Sequence, residues 1–156
     1  MDGGHAFVIP VSLVRHENRV RLTPHASKLL LDLGAAYSGF NNGYLKASFE
    51  FMKERGWRSR ETLHLALHEL LHYQIIKKSR QGGRNRPSCY YLTWWPIQAQ
   101  DNDPLDVSAS TSPCNSWKEK RDLFGVPSSV ARSRAKAKLK REEKIRPRRE
   151  VVTKIS

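Results

Sequence analysis

At 156 residues the chain is long enough for one domain with a real core, or for a small domain followed by a tail. With 28 Lys and Arg against 15 Asp and Glu it carries a net charge of +13 and a pI of about 10.1. Such a balance points to a polyanionic partner, nucleic acid before a membrane surface or an acidic protein. The two cysteines, Cys89 and Cys114, match no zinc or redox spacing, and a reduced cytosolic compartment is the simpler inference. Met1 to His5 lacks a basic leader, and the apolar run Phe7 to Val14 is broken by Pro10 and Ser12, too short for a signal peptide or a membrane span. These features predict a cytoplasmic, nucleoid-associated protein with no membrane partner.

In chain order, Phe7 to Val14 is apolar enough to pack on the domain as a short strand or one helical turn, and Arg15 to Arg21 reads as a polar connection. Thr23-Pro24 starts a helix, since threonine caps free N–H groups and proline suits the first helical position. That helix is predicted to about Tyr37, with Ala26, Leu29, Leu30, Leu33 and Tyr37 on one side. Ser38 to Gly43 is a loop, and Tyr44 to Ala47 a short strand. Ser48 to Arg55 is predicted as a short helix capped by Ser48 and stopped by Gly56. Ser59 to His72 follows as a longer helix capped by Ser59, with Leu63, Ala66, Leu67, Leu70 and Leu71 turned inward. Ile75 to Arg80 and Ser88 to Trp95 are two strands joined through Gln81 to Pro87. Tyr90, Tyr91, Trp94 and Trp95 alternate along the second strand, which places half of them in the core.

From Asn102 to Pro127 the composition turns polar and reads as a linker, with Trp117, Leu123 and Phe124 as apolar exceptions that can dock on the domain. Ser128 to Ser156 holds 11 Lys and Arg against three Glu, a basic tail predicted to be disordered alone and helical from Ser129 to Lys144 on a polyanion.

Helix, turn, helix and basic hairpin is the layout of a winged helix-turn-helix, an α+β fold with a three-helix core and an antiparallel hairpin wing. The expected organisation is a DNA-binding domain over residues 1–98, a linker over 99–127 and a basic tail over 128–156. Arg58, Ser59, Arg60, Thr62, His64 and His68 form the outward face of the second helix, with side chains suited to base edges and phosphates. Lys77, Lys78, Arg80, Arg84 and Arg86 cluster around the Gly82-Gly83 tip and suit backbone or minor-groove contact. Lysines of this kind also serve to block edge-to-edge sheet pairing.

His68-Glu69-Leu70-Leu71-His72 is a literal H-E-x-x-H, the spacing by which zinc peptidases place two imidazoles and a general base on one helix. No histidine follows His72 to complete the ligand set, so the expectation is no cofactor, no metal and no catalytic residue. A zinc hydrolase stands as the alternative from another class. A pure interaction protein docking through Trp117, Leu123 and Phe124 is a third.

The segments Leu22-Thr-Pro, Asn41-Asn-Gly-Tyr-Leu-Lys-Ala-Ser48, Gly82-Gly-Arg-Asn-Arg-Pro-Ser88 and Tyr91-Leu-Thr-Trp-Trp-Pro-Ile97 resemble the small winged helix-turn-helix proteins of proteobacterial chromosomes, plasmids and prophages. The resemblance spans roughly residues 5–98. It implies a sequence-specific double-stranded DNA-binding protein, a transcriptional regulator or, alternatively, a replication-associated factor of mobile DNA. A homodimer would let so small a module read two half-sites, although the sequence does not fix the oligomeric state. The chain departs from that pattern in the bulky Phe51-Met52, in Trp57 at the turn, and in three histidines along the second helix.

Overall fold

The computed structural model describes residues 6–145, in two units divided between Phe124 and Gly125. The last residues of the basic tail, 146–156, lie outside the described residues.

The first unit is built around one helix pair and one small sheet. Two short helices, α1 (Val11–Arg15) and α2 (Glu17–Val20), open the chain where a strand or helical turn and a polar connection were expected. The third helix, α3, spans Pro24–Ala35 and begins as predicted: Thr23 Oγ1 accepts from the Ala26 N–H at 3.3 Å, and Pro24 holds the first turn. Its buried stripe, Ala26, Leu29, Leu30 and Leu33, packs against the long helix α5 (Arg60–His72), which contributes Leu63, Ala66 and Leu70.

Between them come strand β1 (Leu45–Lys46) and the short helix α4 (Phe49–Lys53). Ser48 precedes α4 but makes no side-chain cap. Gly56 follows with φ +85°, the left-handed geometry that lets the chain leave α4 and enter α5 within a few residues. Ser59 caps α5 as expected, accepting from the Thr62 N–H at 3.2 Å. Trp57, the unexpected residue of the turn, is buried and donates its indole N–H to Asp32 at 2.7 Å, tying the turn to α3.

Strands β2 (Ile76–Arg80) and β3 (Cys89–Leu92) complete a three-stranded antiparallel sheet of order β1-β3-β2. The fold is therefore α+β, with the sheet against the helix pair. β3 stops at Leu92 rather than running on to Trp95. Asn42, fully buried, takes the Leu92 N–H on its Oδ1 at 2.7 Å and donates to the carbonyls of Leu92, Trp95 and Pro96, so a side chain replaces the ladder there. Tyr90, Tyr91 and Trp94 are all buried, and Trp95 stacks on Tyr37.

Tyr91 is buried because the expected linker is not free. Residues 103–124 run back over the first unit as a strap. The Asp106 N–H donates to Ser79 O and the Ser110 N–H to Ile97 O, both at 2.9 Å; the Asn115 N–H reaches Thr93 O at 2.8 Å. Trp117, 3% exposed, lies in the core cluster. Behind it Asn18 of α2, fully buried, donates to the carbonyls of Trp117 (2.9 Å) and Glu119 (2.7 Å) and accepts from the Arg121 N–H (3.1 Å). Phe124 donates its N–H to the Tyr73 hydroxyl at 3.0 Å. The compact unit thus extends well past residue 98, because buried polar side chains hold backbone that has few apolar residues of its own.

Among its described residues the second unit forms one helix, α6 (Ser128–Ile145), over the stretch expected to be disordered alone and helical only on a polyanion. Among the described residues no helix is long and apolar enough to cross a membrane.

Candidate nucleic-acid interface

The outward face of α5 carries the residues singled out by the sequence. Arg58, Ser59, Arg60 and His64 are exposed, and Thr62 and His68 half-buried. Arg58 makes no ion pair among the described residues. Arg60 is held across the turn, 2.8 Å from Glu50 and with its guanidinium 4.5 Å from the Phe49 ring centroid. Lys53 and then Arg60 keep the Glu50 carboxyl below its ordinary range. Pairs this exposed are exchangeable, because each charge is nearly as well served by water.

Lys78 joins this face from the sheet. Burial lowers the His68 pKa, and the neighbouring His64 and Lys78 charges lower it further. Lys77 does not join them. It pairs with Tyr91 in the ladder, and alternation puts the two side chains on the opposite face from Lys78 and Tyr90. Burial raises the Tyr91 hydroxyl to about 12, with Cys114 of the strap adding to the effect.

The hairpin arginines divide sharply. Arg84 is exposed at the tip and free of ion pairs among the described residues. Arg80 is not available: it is 4% exposed, 2.5 Å from Asp103 and 3.1 Å from Cys89 Sγ. A bulge between Lys78 and Arg80 shifts the register and turns Arg80 inward, so its role is structural rather than DNA-facing. Arg86 keeps half its surface but shares the same Asp103 oxygen at 2.5 Å. Arg86 above all, then Arg80, holds the Asp103 carboxyl below its usual range. The tip itself is tightly closed. A Cβ on Gly82 would sit 2.4 Å from the Ser88 backbone nitrogen, whereas Gly83 has open space around it.

Asp103 and Glu50 are the partners that sequence reading missed. The acidic run Asp101, Asp103, Asp106 just after a basic hairpin is the charge pattern that would have found the first. Nothing in the spacing marks Glu50.

The H-E-x-x-H segment comes apart in space. Glu69 is 4% exposed and accepts from both the Thr23 N–H and its hydroxyl at 2.7 Å, so its charge sits at the positive end of α3. His72 donates through Nε2 to the Asp122 carbonyl of the strap at 2.7 Å. His64 and His68 lie side by side, ring centroids 4.2 Å apart. No group of three or more His, Cys, Asp or Glu that could hold a metal occurs among the described residues. Cys89 is buried and Cys114 exposed, both as free thiols.

Comparison with known proteins adds no relative: no family model, no curated protein and no solved structure matches the chain.

Proposed function

We propose that the first unit is a winged helix-turn-helix that binds double-stranded DNA, sequence-specifically, as a transcriptional regulator. One observation carries this reading. Exposed basic side chains stand on both elements that such a fold lays on DNA, Arg58 and Arg60 at the start of α5 and Lys78 and Arg84 on the hairpin. Element order supports it: α3, β1, α4, α5, then the β2–β3 hairpin, in a sheet ordered β1-β3-β2. The proposed contacts are Arg58 and Ser59 leading into α5, Arg60, Thr62, His64 and His68 on α5, and Lys78, Arg84 and Arg86 on the hairpin; Lys77 is placed less favourably and Arg80 is excluded. The helix α6, with seven Lys and Arg against two Glu, adds phosphate affinity without sequence preference. A homodimer would let two such helices read two half-sites.

A hydrolytic role for Glu69 is disfavoured by its place beneath α3, where both carboxylate oxygens are engaged by Thr23. Docking to a partner through Trp117 is disfavoured in the same way, since its side chain is spent in the core.

Fluorescence anisotropy against random duplex DNA over a series of salt concentrations tests the proposal. The full chain is compared with Arg58→Ala and Arg84→Ala, which remove charge without touching the core. The salt slope should fall by ~0.9 for each lost phosphate contact. Arg80→Ala would confound the measurement by breaking the fold. Absence of binding at low salt, or slopes unmoved by both variants, overturns the reading.

A further inference from the structure

Two of the α5 histidines, His64 and His68, have a chemistry that contact with DNA alone does not use. Four residues apart on a helix, His64 and His68 stand on one side of α5, and their rings touch at a centroid distance of 4.2 Å with planes inclined by 59°. Among the described residues neither ring has a hydrogen-bond partner. Other histidines are engaged: His72 with the Asp122 carbonyl, and His16, whose Nδ1 accepts from the Asn18 N–H that opens α2. Two imidazoles without protein partners, held in contact on one rigid helix, make a chelating pair.

We propose that His64 and His68 form a surface site for one late first-row divalent ion of the zinc, nickel or copper class, its remaining positions open to solvent. Imidazole nitrogens bind such ions at about 2.0–2.1 Å, so two of them on one ion lie roughly 3 Å apart. Rings already in contact reach that separation by small side-chain rotations. Imidazole ligation selects these ions over magnesium and calcium, which prefer oxygen. Lys78 opposes the ion electrostatically, although its ammonium is drawn toward the hairpin by a 2.7 Å bond to Gln81 Oε1. With no third protein ligand among the described residues, the bound ion exchanges readily and keeps positions for water or an anionic oxygen. If the DNA reading holds, those positions face the phosphates; the metal site itself does not rest on it.

The test is a titration of the full chain, 15N-labelled, with zinc chloride, following the imidazole ring nitrogens by NMR. One equivalent should shift His64 and His68 together and leave His72 unmoved. His64→Gln or His68→Gln should each abolish the paired ring shift, while Lys78→Gln strengthens zinc binding. Magnesium chloride should shift neither ring. Zinc shifts at His68 with His72, shifts confined to other histidines, no ring shift in excess zinc, or an equal response to magnesium would each overturn the site.

Discussion

The strap of residues 103–124 and the helix α6 are both polar segments with little apolar surface to bury, yet they are built in opposite ways. The strap has almost no regular structure, only a 3-10 turn at Ser116–Lys118, but is fastened along its length by side chains and backbone of the first unit. Helix α6 satisfies its own backbone and exposes nearly every described side chain. What orders the strap is a supply of buried partners, Asn18, Thr93 and Ile97 among them, together with Trp117 in the core and Phe124 packed against it.

Three variants sharpen or break that contrast. Trp117→Ala should have the largest effect, destabilising the first unit by about 3–5 kcal/mol, because an indole leaves a filled core. Chemical denaturation would show it, and an unchanged midpoint would reduce the strap to a surface ornament. Asn18→Ala should cost about 1–3 kcal/mol, since it strips buried strap groups of their partners. Hydrogen exchange should then quicken at Arg121, whose N–H the Asn18 side chain accepts, more than in β3. Uniform quickening would mean the strap is not a separable layer. Lys136→Gln with Lys140→Gln, on exposed positions of α6, should move stability by no more than about 0.5 kcal/mol. If the proposed DNA binding holds, the same pair should still lower its salt slope, and a larger loss of stability would show that these exposed side chains matter to the fold.

Local signals were legible in the residues and long-range ones were not. Thr23-Pro24, Ser59 and Gly56 act within a few positions of themselves, and each does what its chemistry predicts. The outward face of α5 followed from helical periodicity alone. Arg80 did not, because strict alternation cannot foresee a bulge between Lys78 and Arg80. Glu69 read as part of a metal motif because its neighbours in sequence are histidines, whereas its partner in space, Thr23, lies 46 residues earlier. The strap was hidden for a related reason. Composition registers apolar content, and the strap is held largely by hydrogen bonds whose partners lie far away in the chain.

Those bonds from Asn18 to Trp117, Glu119 and Arg121 span 99 to 103 residues. Closing so long a loop carries an entropy cost that no local contact repays in advance. The helix pair and sheet can assemble first, since α4, α5 and the hairpin are neighbours in sequence. The clasp between α2 and the strap then closes as a late event, and a ribosome must deliver the strap before it can. Until that moment the site for Trp117 is an open apolar surface on a nascent chain, so the interval before closure is when this protein is most exposed to aggregation and to chaperones.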